Sequence, residues 1–264
     1  MELQKETDSL EKHGKWYQDA CGTAFAMELV GERWSMLIIR ELMLGGRRFS
    51  DLRASLPGIS AKVLTERLAG LEQAGVLTKR KLPPPAATQV YELTEWGYLA
   101  EPAIQELGRW AARSPLHDPR LPLSPVSFML SMRTMLDRER ARELKAVIGF
   151  DTDGEQFVGR LGDGALPIVR EEPKGVDVLF RARTPMELAA LFYGKVPVDE
   201  WLEGEGRAIE GDRALAQRYL DLFGLPKKVA YPPIPALRMD FSISAAAFQP
   251  SRAWTRPYQA VRRG

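Results

Sequence analysis

The sequence predicts a multi-domain chain, a mainly α N-terminal domain that ends in a two-stranded ribbon followed by a C-terminal domain of the α+β class. Three observations predict it. At 264 residues the chain exceeds one ordinary domain by about twofold. Its apolar period changes from about 3.6 to 2 near Val76, returns to helical spacing after Thr94, and alternates again after residue 146. Between these halves, Leu116 to Pro125 holds three prolines in ten residues and reads as a linker. Hydrophobic residues make up 45% and charged ones 27%, enough apolar material for two soluble cores.

The elements of the first half follow in order. Residues 1–20 form a polar arm of mixed charge. A helix capped by Thr23 runs through Ala26, Met27, Leu29 and Val30 to a break at Gly31-Glu32-Arg33. A second carries Trp34, Leu37, Ile38 and Leu42 and stops at Gly45-Gly46. Ser50-Asp51-Leu52 opens a short third helix, ended by Leu56-Pro57-Gly58. A fourth spans 60–73 with Val63, Leu64, Leu68 and Leu71 on its apolar face. Val76–Leu82 and Val90–Thr94 then read as antiparallel strands joined by a stiff Pro83-Pro84-Pro85 loop. Thr94 caps one long helix through Trp96, Leu99, Ile104, Leu107 and Trp110, whose apolar face is wider than one small core needs and predicts dimerisation.

Three helices, the last two joined tightly, followed by a ribbon with a projecting loop, is the winged helix-turn-helix order, here over residues 21–115. Charge supports it. The net charge is only +2, yet residues 44–82 alone carry an excess of +5. A helix at 60–73 in the major groove would turn Ser60, Lys62, Thr65 and Arg67 toward DNA, with Arg47 and Arg48 at the preceding helix and Lys79, Arg80 and Lys81 on the wing at 79–90. Since three successive strand residues alternate in direction, at least one of those wing cations is expected to face inward against an acidic partner.

In the second half, a helix over 126–146 precedes strands at 147–150, 156–161, 166–170 and 176–182, with turns at Asp153-Gly154 and Gly162-Asp163-Gly164. Helices return at 184–192 and 197–203, then a short strand at 207–211 and a helix capped by Asp212. An antiparallel sheet under helices is the expected α+β arrangement over 126–224. Phe180, Leu191, Phe192, Trp201 and Leu202 are candidates both for a ligand pocket and for plain core. Residues 225–264 form a basic, proline-rich tail in which Leu237–Ile243 could add a strand.

The runs Ala26-Met27-Glu28-Leu29-Val30-Gly31-Glu32-Arg33-Trp34, Arg48-Phe49-Ser50-Asp51-Leu52, Pro57-Gly58-Ile59-Ser60, Val63-Leu64-Thr65-Glu66-Arg67-Leu68 and Tyr91-Glu92-Leu93-Thr94-Glu95-Trp96-Gly97 resemble the HxlR family of bacterial transcriptional regulators over about residues 16–112. The resemblance implies a homodimer that binds operator DNA through its winged helices. The Pro-Pro-Pro wing and the long C-terminal extension depart from the family pattern. Some relatives sense oxidants or aldehydes through a cysteine near the position of Cys21, which here precedes a helix whose N–H groups favour a thiolate. Asp177-Val178, Thr184-Pro185-Met186-Glu187-Leu188 and the string Glu203 to Asp212 resemble sterol-carrier-protein-like domains, implying an apolar pocket between sheet and helices for a hydrophobic effector.

Other classes are disfavoured. One cysteine and two histidines offer neither a disulfide nor a zinc cluster, so no metal or cofactor is expected. No G-x-S-x-G elbow or P-loop occurs, so no catalytic residue is named and the chain is not expected to be an enzyme. Charges interrupt every apolar stretch, which predicts a cytoplasmic protein without membrane association. The expected partners are double-stranded DNA, a second copy and a hydrophobic small molecule. The alternative is a lipid-binding or carrier protein that uses its winged helix only to dimerise.

Overall fold

The computed structural model describes residues 17–83 and 88–230. Most of the N-terminal arm, the tip of the wing loop, and the tail with its expected strand at 237–243 lie outside the described residues. The first helix, α1 (Gly22–Val30), starts one residue before the expected cap, so Cys21 rather than Thr23 holds the N-cap position with an extended backbone. α2 (Ser35–Leu42) follows Trp34, whose φ of 83° puts it in the left-handed region. α3 (Phe49–Ser55) and α4 (Ala61–Gln73) are separated by Pro57-Gly58, where Gly58 takes a φ of +91° that an L side chain would resist. Ser60 caps α4, its hydroxyl accepting a hydrogen bond from the Val63 N–H at 3.2 Å. Ile38, Leu42, Leu64, Leu68 and Leu71 are almost completely buried, as the helical spacing predicts, and so are Ile39 and Leu52, whereas Leu37, expected on the same face, is 38% exposed.

Strands β1 (Leu77–Lys81) and β2 (Gln89–Leu93) pair antiparallel, Leu77 opposite Leu93 and Lys81 opposite Gln89. The backbone of Arg47 bridges Tyr91 on the other side of β2 through two hydrogen bonds of 2.9 and 2.8 Å. The expected single helix after Thr94 is two, α5 (Glu95–Tyr98) and α6 (Glu101–Ala112). Pro102 explains the break, because it brings no N–H for the carbonyl of Tyr98 and is accommodated only in the first turn of a new helix. Thr94 still caps as expected, accepting from the Gly97 N–H at 3.0 Å. Gly97 itself sits so close to the ribbon that a Cβ would lie 2.1 Å from the carbonyl oxygen of Val76.

In the second half, Ser124 caps α7 (Pro125–Met135), and a 3-10 turn at Arg140–Glu143 leads into the sheet. The strands are β3 (Ala146–Thr152), β4 (Glu155–Leu161), β5 (Ile168–Val169), β6 (Val178–Ala182) and β7 (Ala208–Gly211), in the spatial order β5-β4-β3-β6-β7. The sheet is mixed rather than antiparallel, because β6 pairs parallel with β3. After β5 the chain runs back along residues 170–177 and enters beside β3 in the same direction, the crossover that a parallel pair needs. Helices α8 (Pro185–Phe192), α9 (Val198–Leu202) and α10 (Arg213–Leu220) complete the domain. Thr184 and Glu187 form a reciprocal capping box at the start of α8.

The described residues through Val229 form one compact unit, and polar ties join its two halves. α7 packs against both α2 and α6. Glu41 is fully buried, held by Arg40 at 2.8 Å and by the Ser124 hydroxyl at 2.7 Å. Arg133 of α7 bonds Glu101 of α6 at 2.7 Å. Glu155 at the start of β4 takes Arg47 at 2.8 Å and Arg170 at 2.9 Å, while Arg170 also reaches the Leu44 carbonyl at 3.2 Å.

Candidate nucleic-acid interface

The apolar stripe of α4 is buried against the helical core, which forces its other face into solvent. Ser60, Lys62, Thr65 and Glu66 all lie on that open face. The Lys62 side chain is 86% exposed and lies 4.0 Å from Glu66 one turn on. The Thr65 hydroxyl donates to the Ala61 carbonyl at 2.9 Å, so its oxygen stays available as an acceptor. Arg67 is only partly exposed and turns back to Glu32 at 2.9 Å.

The ribbon packs beside α4. Lys79 bonds Glu72, near the end of α4, at 2.6 Å, and this contact holds its ammonium above the usual lysine value. Arg80 pairs across the ribbon with Glu92 at 2.6 Å. Lys79, Arg80 and Lys81 are all exposed, so none faces inward, although Lys79 and Arg80 do meet acidic partners as expected. The reason is that the ribbon covers the core mainly through β2 and Leu77, leaving both faces of the outer half of β1 in solvent. Arg48, at the N-cap of α3, is exposed as well. The intramolecular partners Glu32, Glu72 and Glu92 carry no sequence signal that marks them, since each is a single acidic residue at ordinary spacing.

Arg47 requires a correction as a DNA contact. It is 8% exposed, and its guanidinium is fixed by Glu155 and by the Ser55 hydroxyl at 3.1 Å. Its charge is spent within the fold, where it ties the winged helix to the C-terminal half.

The expected pocket residues also need correcting. Phe180, Leu191, Phe192 and Trp201 are at most 2% exposed. Phe180 and Phe192 stand 5.1 Å apart in a ring cluster with Phe128, Phe150, Tyr219 and Phe223, which fills the space between sheet and helices. The Trp201 indole N–H is satisfied by the Glu187 carbonyl at 2.7 Å. Leu202 is partly buried against the same core. A cavity of about 780 Å³ lies elsewhere, lined from α6, residues 116–123, α7 and α8. None of the five expected residues borders it. Because six separate segments build it, with Arg40 of α2 and Leu225 added to these four, no single stretch of sequence announces it.

Cys21 is exposed. Its thiol is held below the ordinary value, first by the backbone N–H of Thr23, then by the Thr23 hydroxyl and the Ala24 N–H. Among the described residues, no group of three or more His, Cys, Asp or Glu side chains could hold a metal ion, and no helix is long and apolar enough to cross a membrane.

Residues 29–117 match the family described as HxlR-like helix-turn-helix. Over 86 residues the chain is 37% identical to the uncharacterized HTH-type transcriptional regulator YvaP of Bacillus subtilis (strain 168), covering 33% of this chain and 80% of that protein. It is 41% identical over 86 residues to the HTH-type transcriptional regulator YodB of the same strain, covering 33% and 77% respectively. The solved reduced form of YodB from B. subtilis aligns with 36% identity over 38% of this chain and 100% of that one, with a TM-score of 0.34. The family match ends at residue 117, so the α+β half stands outside it.

Proposed function

The chain belongs to the HxlR-like helix-turn-helix family, and from that premise we propose that it is a DNA-binding transcriptional regulator acting in the cytoplasm as a homodimer. In this reading α4 enters the major groove, with Ser60, Lys62, Thr65 and Arg67 toward base edges and phosphates. Arg48, Lys79, Arg80 and Lys81 hold the flanking backbone. The observation that carries the reading is the open polar face of α4 beside a ribbon whose exposed edge is basic. A gel shift against duplex DNA flanking its own gene tests it. Retardation that weakens for Lys62→Ala is expected, whereas no retardation of any duplex contradicts it.

The dimer is assigned to α6. Trp110 is 74% and Leu107 45% exposed, and a spacing of three puts both on one side of the helix, while Leu99, just before it, is 74% exposed. Trp110→Glu is expected to shift the protein from dimer to monomer in sedimentation and to weaken operator binding with it. A dimer that persists unchanged would remove α6 from the interface.

The second half serves in this reading as an effector domain of the sterol-carrier-like kind. Its five-stranded sheet under helices is compatible with that class, although the inner face of the sheet is filled by aromatic rings. Cys21 is read as a thiol that responds to oxidants. Alkylation by iodoacetamide is expected to reach half its plateau rate at a lower pH than a free cysteine, because the Thr23 and Ala24 donors favour the thiolate. A midpoint at or above that of free cysteine contradicts the assignment. Unchanged DNA affinity of Cys21→Ser and native protein alike, with and without diamide, would also remove the sensing role.

A further inference from the structure

The cavity of about 780 Å³ occupies the seam between the winged helix and the α+β half. Ile104 of α6, Leu121, Leu130 and Met135 of α7, Met186 of α8 and Leu225 make its walls mainly apolar. Its size lies within the roughly 300–1,000 Å³ of small-molecule sites. The space exists because residues facing it are small: Gly108 on α6, and Ala189 and Ala190 on α8. Set in the wall is one polar pair, in which the Tyr193 hydroxyl and the Ser131 hydroxyl lie 2.9 Å apart. Two hydroxyls bring two O–H groups and use one between them, so the second can be given to an acceptor on an occupant.

The charge around the cavity narrows the class of occupant. Each ionised side chain bordering it already has an opposite partner: Arg40 with Glu41 at 2.8 Å, Glu101 with Arg133 at 2.7 Å, and Asp118 with Arg120 at 2.9 Å. The Arg120 guanidinium pulls the Asp118 carboxyl down to about 2, so it stays ionised and paired. Burial and the nearby Lys228 depress His117, which is therefore neutral at ordinary pH. Inside the cavity, away from the exposed Asp118–Arg120 pair and from Lys228 beside His117, a charged ligand would lose water and find Arg40 and Glu101 already paired.

We propose that this cavity is the effector site, and that it takes a neutral, mainly apolar small molecule carrying a hydrogen-bond acceptor such as a carbonyl oxygen, directed at the Tyr193–Ser131 pair. The proposal rests on the reading of the chain as a regulator and locates its control. α6 forms one wall with Ile104 and Gly108 and turns Leu107 and Trp110 to solvent, so an occupant presses on the helix assigned to the dimer.

Nile red, a neutral dye with a carbonyl acceptor, is the probe, titrated into the full chain without DNA. Saturable binding at one dye per chain is expected. Gly108→Leu has open space for its side chain and replaces a helical glycine, and Ala190→Phe fills the opposite wall. Both are expected to weaken binding by about tenfold or more while the thermal midpoint holds. Tyr193→Phe keeps the shape and is expected to weaken binding and shift the bound dye's emission to the blue. Dye binding that does not saturate, or that neither cavity-filling variant changes, overturns the proposal. A DNA titration without dye separates the two readings: protein that takes dye at this site but binds no duplex keeps the site and loses the regulator. Protein that binds duplex but no dye loses the site.

Discussion

Replacing Glu155 by alanine is expected to lower the unfolding free energy by about 3–5 kcal/mol, because it strands two guanidinium groups that the fold has already taken out of water. Arg47 and Arg170 converge on this one carboxylate, with side chains 9% and 27% exposed. Arg170 also stacks over the Phe157 ring at 5.4 Å, so neither cation is free to swing into solvent without losing packing. Burial already disfavours the charged form of Arg170, and Glu155 is the main opposing influence. Urea unfolding measures the loss. Exchanging all three members for apolar residues of similar size should recover most of it, since a missing partner is more harmful than a missing cluster. A loss below about 1 kcal/mol would mean that the cluster behaves as an exposed ion pair.

Converting Lys79, Arg80 and Lys81 together to alanine is expected to weaken binding to duplex DNA on the order of 10³-fold or more at low salt, and to flatten the salt dependence by about one unit of slope for each phosphate that is no longer neutralised. Two of these cations are paired within the chain, Lys79 with Glu72 and Arg80 with Glu92. Surface pairs of this kind contribute only about 0–1 kcal/mol, so phosphates can displace the carboxylates. The variant also leaves Glu72 and Glu92 uncovered, which adds repulsion to the missing attraction. By contrast, Lys62→Ala and Thr65→Ala on α4 are expected to relax discrimination between duplex sequences by about 1–3 kcal/mol for each base edge that is no longer read. Equal weakening on all sequences would place α4 on the backbone and out of the groove.

Much of the DNA-facing module is legible in the sequence because its determinants are local. The apolar spacing of α4, Pro57-Gly58 as a turn and Thr94 as a cap act within a few residues, and the structure places them where the sequence predicts. The Thr184 capping box is of the same kind. The departures come from partners distant in sequence. Arg47 reads as a surface cation because its partner, Glu155, stands 108 positions away. An antiparallel β6 is the natural expectation because nothing local says that the chain crosses back before starting it. Phe180 and Phe192 are compatible with both pocket and core, and the rings packed against them decide for core. The cavity needs small residues on α6 and α8 and a proline-rich segment to meet at one place, and none of these is unusual alone. The division of α5 from α6 is readable in Pro102, but continuous apolar spacing across the break outweighs it.

Whether α4 and the ribbon form a DNA-reading surface is decided by fluorescence anisotropy of a labelled duplex from upstream of the protein's own gene. The titration is run from about 50 to 200 mM salt against a scrambled duplex. With about three to five cations of each protomer on phosphates, tighter binding to the native duplex and a log–log salt slope of about −5 to −9 are expected. Binding that does not change with salt, or no binding to either duplex, would contradict it.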